Sequence, residues 1–213
     1  MKAKTHLSQN KSRGGFTLVE MLVVISMIAA LAGISFPVYK SIQKKVEKQK
    51  LEMLIGSIER AVDNFETEYN YLPYAGAAYP TGDSVYYFNG TIAPFVGVLM
   101  GLENSINFKK IAFLEIQEAK GSSSGGSSWG PYGYKDGVVN NGDGTADLYS
   151  PWGMKYAVRL DHDMDGEVNR PLVPSSSGMK LYGYKIVIYT PGSSNSADPK
   201  DTWITNFPYE AAP

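Results

Sequence analysis

Glu20 is the first residue of this sequence whose surroundings demand chemistry. It is the single charged residue between Phe16 and Phe36, a run of 21 residues. A helix of that length spans about 31 Å, close to the hydrocarbon thickness of a bilayer. A carboxylate at the centre of such a helix costs about 2.5–3.5 kcal/mol or more, so an intramembrane charge marks a functional position. The residues before it offer a counter-ion. Cleavage after Gly15 would leave an ammonium on Phe16, four residues away. That ammonium could meet Glu20 of the same helix or of a neighbouring copy. Thr17 and Ser26 are tolerable here, because a hydroxyl can bond back to a carbonyl one turn earlier.

A second set of chemistry-bearing residues lies far along the chain. Asp161, Asp163 and Asp165 occupy alternate positions and Gly166 follows, the D-x-D-x-D-G order that opens an EF-hand loop. Hard carboxylate oxygens at that spacing suit Ca²⁺. The twelfth position is Leu172, so the bidentate Glu of a complete loop is missing. A polar turn after a strand explains the same residues, and both readings stand. His162 is expected at the surface rather than as a ligand, because Ca²⁺ prefers oxygen. Asn141-Gly142-Asp143-Gly144 with Asp147 is a weaker oxygen-rich turn. Gly121-Ser122-Ser123-Ser124-Gly125 is formally G-x-S-x-G. That motif needs a strand before, a helix after, a His and an acid. Here a Gly/Ser tract follows, and His162 is the single His beyond the first 15 residues. A flexible Gly/Ser tract therefore explains these residues better than a Ser hydrolase.

These residues need elements to hold them. Beyond Pro37 the helix is expected to continue. Ile42, Val46, Leu54, Ile58, Val62, Phe65 and Tyr69 recur mostly at three- and four-residue spacing, with Leu51 and Ile55 beside them. Asn70-Tyr71-Leu72-Pro73 ends it. The first half of this stretch is basic (Lys40, Lys44, Lys45, Lys48, Lys50). The second is acidic (Glu52, Glu59, Asp63, Glu66, Glu68). The two halves either match between staggered copies or are a solvated face. A short helix is expected over Thr91–Leu102, capped by Gly101 or lost near Glu103-Asn104. Strands are expected over Lys110–Ile116, Met154–Leu160 and Tyr182–Thr190. In the last, Tyr184, Ile186 and Ile188 would share an apolar face, leaving Lys185, Val187 and Tyr189 on a mixed one. Gly121–Ser128 reads as a flexible tract.

The chain has 213 residues, a net charge of −1 and no Cys. The first 15 residues hold Lys2, Lys4, Lys11 and Arg13 and no acid, so their loss takes the net charge to −5. An acidic product argues against nucleic acid as a partner. Without disulfides an exported domain rests on its core, or on a metal. The lysines on both sides of the apolar run leave the positive-inside rule undecided. A plain membrane anchor explains the run but not Glu20. An ordinary signal peptide cut at Ala30-Leu31-Ala32 has Glu20 inside its apolar region and an apolar run continuing past the cut.

Gly15-Phe16-Thr17-Leu18-Val19-Glu20, the apolar run and Pro37 together resemble the leader junction of type IV pilins and of the pseudopilins of type II secretion. Ser150-Pro151-Trp152-Gly153-Met154-Lys155-Tyr156 resembles the D-P-W-G-x-x-Y segment of major pseudopilins, with Ser150 in place of Asp. Tyr189-Thr190-Pro191-Gly192 followed by Asp198, Asp201 and Trp203 resembles that family's calcium-binding C-terminal loop. The match there is partial, since Ser193-Ser194-Asn195-Ser196 replaces a Gly-rich stretch and Thr202 follows Asp201. The resemblance implies an α+β, pilin-like fold, with a long N-terminal helix, membrane-spanning in its first half, packed on a small antiparallel sheet. It divides the chain into a leader (1–15), an assembly helix (16–37), its periplasmic continuation (38–72) and a globular domain (73–213).

The same resemblance implies a structural filament subunit rather than an enzyme. A prepilin peptidase would cut after Gly15 and methylate Phe16. Glu20 would direct assembly and Pro37 would kink the helix. Ca²⁺ would be held by Asp198 and Asp201 unless that stretch is a plain Ser/Asn/Pro-rich surface loop, while the D-x-D-x-D-G order, apart from the resemblance, offers Asp161, Asp163 and Asp165. Partners would be further copies in a helical homopolymer, the peptidase, minor pseudopilins and an inner-membrane assembly platform. The location would be the bacterial inner membrane, single pass with the C-terminal domain periplasmic, and then a filament. An extracellular type IV pilus and a secreted binding domain with a cleaved signal are the alternatives. Pilins commonly carry a C-terminal disulfide loop, so the lack of Cys favours the pseudopilin.

Overall fold

A computed structural model describes residues 15–86, 92–122, 132–169, 180–192 and 203–207, with residues 34–38, 40 and 41 described by their backbone alone. Two helices, α1 (Leu18–Tyr69) and α2 (Ile92–Leu99), accompany ten short strands. These are β1 (Ser84–Tyr86), β2 (Lys120–Gly121), β3 (Tyr134–Lys135), β4 (Gly137–Asn140), β5 (Ala146–Tyr149), β6 (Ala157–Leu160), β7 (Glu167–Asn169), β8 (Lys180–Tyr182), β9 (Ile186–Pro191) and β10 (Trp203–Thr205). The chain forms two compact units, Met1–Val46 and Glu47–Pro213, and α1 contributes to both.

In the first unit, Leu, Met and Ala supply helix propensity and the apolar residues point in every direction. Phe16, Leu18 and Leu31 are 81, 80 and 67 % exposed, with Val19, Ile25 and Met27 close behind. Ser26 returns its hydroxyl to the Val23 carbonyl at 2.8 Å, the local back-bond expected of a hydroxyl within a helix. Pro37 lies inside α1. Its missing N–H removes one backbone bond, so any bend in this part of the helix belongs there. Among the described residues no helix is long and apolar enough to cross a membrane; the apolar run's described side chains end at Gly33.

In the second unit α1 has a clear buried seam. Leu51, Ile55, Ile58, Val62, Phe65 and Tyr69 follow one another at four- and three-residue steps and are all buried. The expected stripe is thereby corrected at three positions. Ile42 and Val46 are exposed, and Leu54 is half-buried at the edge. At 100° per residue, Leu51 and Ile55 lie on the centre line that Leu54 misses. Asn70 ends the helix in the left-handed region (φ 61°), its N–H donating to Glu66 O at 2.7 Å.

The acids of the second half of α1 are exposed or partly exposed to solvent, and several also pair within the chain. Lys185 Nζ pairs with Asp63 (3.1 Å) and Glu66 (2.6 Å). Lys109 pairs with Glu68, and Asn206 Nδ2 donates to Glu59 at 2.6 Å.

α2 is shorter than expected but stops where expected, at Gly101 (φ 72°). Lys110–Ile116 is not a strand. Its backbone donors serve the end of α2, with Phe113 N and Leu114 N both donating to Leu99 O at 2.9 and 3.1 Å. Asn107, fully buried, donates through Nδ2 to Val98 O and to Ile111 O, each at 2.8 Å. The orphan carbonyls of a helix terminus have outcompeted a ladder. α2 also lies against the turn between β4 and β5. A Cβ on Gly97 would come within 2.1 Å of Gly144 O, which only Gly permits.

The main sheet has the order β1-β6-β9-β10, antiparallel throughout. β6 begins at Ala157, three residues later than expected, after a single bridge between Tyr149 and Lys155. The expected Tyr182–Thr190 strand is two strands, broken at Gly183 (φ 77°), whose N–H turns to Gly166 O. Ile186 and Ile188 join α1 in the main core. Val187 and Tyr189 build a second small core with Ala157, Val168 and Phe207, and Tyr184 packs there rather than with Ile186. β9 is thus apolar on both faces, and the mixed face expected of Val187 and Tyr189 is covered. Of the Gly/Ser tract only Gly121 and Ser122 lie within the described residues.

Candidate functional site

Thr17 is the N-cap of α1 and Glu20 its third helical residue. The Glu20 carboxylate accepts from the Thr17 N–H and the Thr17 hydroxyl, both at 2.8 Å. Glu20 N–H donates back to the Thr17 hydroxyl at 3.2 Å. This reciprocal pairing is a capping box, which satisfies donors the first helical turn would otherwise leave open. Its sequence signature is Thr17-x-x-Glu20 ahead of an apolar run. Gly15 and Phe16 precede α1 in irregular backbone and are exposed, Phe16 by 81 %. The bond between them lies outside the helical hydrogen-bond ladder.

The loop between β6 and β7 holds the acidic group. Asp161 accepts Asp165 N–H and Gly166 N–H at 3.2 and 2.9 Å, and the turn passes through Met164 (φ 57°) and Gly166 (φ 77°). Asp165 turns one oxygen to Glu167 N–H at 2.8 Å, so it closes the turn instead of joining its neighbours. The third carboxylate is Asp83, from the residue before β1. Asp83, Asp161 and Asp163 bring one oxygen each within 4.8 Å of the others. Strand register explains the meeting. Ser84 pairs with Leu160, so one step further along the ladder Asp83 lies beside Asp161. No spacing in the sequence foretells that pairing.

Electrostatically this group is held against its preference. Burial, and then the neighbouring acids, push the Asp83 carboxyl above the usual carboxylate range, although Asn169 N–H opposes them. Burial also raises Asp161, with Asp163 and Asp165 adding to it and Gly166 N–H opposing. Asp83 Oδ1 is buried without a hydrogen-bond partner. Asp83 and Asp163 also line a cleft of about 160 Å³ with Asp165, Glu167, Asn169 and Lys180. Ca²⁺ takes six to eight oxygens at about 2.3–2.6 Å, so two ligands on one ion lie up to about 5 Å apart. The donor set and its orphaned oxygen fit such an ion. Asp198 and Asp201 lie outside the described residues.

His162 does not face solvent as expected. It is 3 % exposed, edge-on to Tyr79, with Nε2 at 3.2 Å from Pro73 O. A carbonyl only accepts, so Nε2 carries the proton. Burial holds the imidazole below its ordinary pKa, which keeps it neutral. The oxygen-rich turn at residues 141–145 is closed internally, with Asp143 accepting from Thr145 N–H at 3.0 Å and from its hydroxyl at 2.6 Å. In the Pro-Trp-Gly turn, Ser150 Oγ accepts Trp152 N–H and Met154 N–H at 3.3 and 3.1 Å. That is work a carboxylate could do in its place. The Trp152 indole donates to Glu47 at 2.7 Å and packs at the core edge, so the turn is structural.

No curated protein and no solved structure matches this chain. Residues 10–36 match the family model described as the prokaryotic N-terminal methylation motif. That match spans the leader junction, Glu20 and most of the apolar run. It marks the N-terminal segment as one of the type processed by prepilin peptidase in type IV pilins and pseudopilins.

Proposed function

We propose that this chain is a structural subunit of a type II secretion pseudopilus, and not an enzyme. Its leader is removed after Gly15, Phe16 is methylated, and the mature chain rests in the inner membrane with its globular unit in the periplasm. It then assembles with further copies, with minor pseudopilins and with a membrane assembly platform. The observation that carries this reading is the first part of α1, exposed and apolar on every side, with one carboxylate at its start. The sequence run Phe16–Phe36, 21 residues, is long enough to span hydrocarbon. In a filament, identical helices replace the lipid.

The chemistry at the junction follows from the capping box. Before cleavage Glu20 is satisfied by Thr17 of its own chain. Cleavage adds an ammonium one residue earlier. In an apolar core that charge and Glu20 must be paired, and a misaligned neighbour leaves one of them buried alone, at about 3–5 kcal/mol. The carboxylate therefore sets axial register. The test is to express the full chain with a prepilin peptidase and an assembly system, then image sheared filaments and weigh the intact subunit. A mature chain starting at Phe16 within filaments supports the reading. A start at Gly33 without filaments supports a secreted domain with an ordinary signal. An extracellular type IV pilus is the nearer alternative, and the lack of Cys weighs toward the pseudopilus.

Ca²⁺ belongs to the same reading. Asp83, Asp161 and Asp163 would hold it, supported by the buried unpartnered Asp83 Oδ1. The ion would supply the positive charge that three converging carboxylates lack, tying the start of β1 to the end of β6.

A further inference from the structure

Among the described carboxylates outside the Asp83–Asp161–Asp163 group, two lack both a hydrogen bond and an ion pair, Glu115 and Glu118. Both are exposed. Glu115 lines a groove between α1 and the segment that follows α2, with Met53, Leu54, Ser57 and Ile116. Met53 is 72 % exposed there, and Leu54 and Ile116 are half-buried. Lys50 and Asp136, also in its lining, are paired with one another at 3.1 Å. The groove thus offers an apolar strip of Met53, Leu54 and Ile116 beside one uncompensated negative charge, Glu115.

A surface of the opposite character lies on the first unit. Tyr39, Ile42 and Val46, at positions i, i+3 and i+7 of α1, make a ridge that is 61, 53 and 44 % exposed. Lys45, three residues from Ile42, borders it. Lys44 and Lys45 are, with Lys110, the described cations that have no partner. The ridge lies beyond the Phe16–Phe36 run, so lipid tails do not cover it.

We infer that the Met53–Ile116 groove receives the Tyr39–Val46 ridge of a second copy, with Lys45 of that copy against Glu115. This rests on the filament reading and names one of its contacts. Ridge and groove are different surfaces, so their pairing is heterologous. A docked copy can offer its own groove to the next, the open arrangement that a helical polymer needs. Lys45 against Glu115 supplies the charge complementarity of the contact.

The chain has no Cys, so paired cysteines report the contact without background. Lys45→Cys and Glu115→Cys chains are co-expressed with the assembly system, and filaments are treated with a short bifunctional thiol reagent. Covalent dimers joining one variant to the other are expected, with a ladder of higher multimers from the double variant. Separately, Lys45→Glu and Glu115→Lys are each expected to lower filament yield about tenfold, and the two together to recover most of it. An unchanged melting temperature for each variant keeps a folding defect apart. Wild-type filament yield without cross-links overturns the groove while leaving the filament reading intact. Absence of filaments from the parent chain overturns both. Charge variants that release the chain from anionic vesicles, with no cross-link, assign Lys45 to a lipid surface and overturn the second-copy contact.

Discussion

Glu20 and Thr17 satisfy one another. The carboxylate takes both the backbone and hydroxyl donors of Thr17 at 2.8 Å, and Thr17 returns its hydroxyl oxygen to the Glu20 N–H. Glu20 therefore has two separable parts, a cap that any Glu or Gln can make and a charge that only Glu carries. Glu20→Gln should keep the helix start and lose the ion pair, whereas Glu20→Ala loses both. Both variants are expected to insert and be cleaved. Both should yield at least tenfold fewer filaments, because a buried ammonium left unpaired costs about 3–5 kcal/mol. Glu20→Ala should cost about a further 1 kcal/mol through the lost cap. Filament yield by shearing and immunoblot decides it, and wild-type yield from Glu20→Gln would remove the charge from the mechanism.

Gly15→Ala is expected to slow processing, with the uncut precursor accumulating in the membrane fraction. A Cβ at Gly15 meets nothing within 4 Å in the chain itself, so folding should not change. Any effect is then the peptidase's own discrimination. Intact-mass measurement separates precursor from product. Normal maturation of Gly15→Ala would show that the peptidase does not read this residue.

For Asp83 the expected sign depends on calcium. Millimolar Ca²⁺ should raise the wild-type melting temperature by a few degrees, the scale of about 1–3 kcal/mol for a chain of this size. In chelator Asp83→Asn should melt no lower than wild type, because burial and its acidic neighbours disfavour the charge it removes. With Ca²⁺ the order should reverse. The same ranking in both buffers would take the ion away from this cluster.

Asp136 gives a pH test of a paired carboxylate. Burial pushes its carboxyl up, but Lys50 and Lys120, at 3.1 and 3.3 Å, outweigh that and hold it below the usual carboxylate range. A depressed folded pKa means stability that is present above the unfolded carboxylate pKa and lost as pH falls through the folded one. Asp136 lies in the left-handed region (φ 56°), which Asn adopts readily, so Asp136→Asn removes charge with little backbone strain. The variant should melt lower than wild type at pH 7, by about 1 kcal/mol for two partly exposed bridges. The gap should close progressively in acid. A gap that is constant with pH would mean the loss is not electrostatic.

Local patterns carried much of this molecule. The uninterrupted apolar run, Glu20 and the Gly15–Phe16 junction are contiguous residues, and their meaning needs only spacing. The stop at Asn70, the end of α2 near Gly101 and the Pro-Trp-Gly turn are likewise local backbone chemistry. What failed were statements about which partner an exposed-looking group would choose. Lys110–Ile116 has strand-like residues, but the free carbonyls at the end of α2 claimed its N–H groups. Tyr184 and Val187 could not be assigned faces, because a second core covers the far side of β9. His162 reads as a polar loop residue until Pro73 and Tyr79 close over it.

Asp83 shows the same division most plainly. Nothing near Thr81-Gly82-Asp83 points to Asp161, 78 positions later. An antiparallel ladder, Ser84 against Leu160, makes them neighbours. The sequence alone located the long helix α1, its stop at Asn70 and the methylation motif at the N-terminus, since those follow from residues adjacent along the chain. Tertiary structure decided which distant charges meet, because strand register and packing, not sequence distance, set the separations over which a carboxylate finds its partner.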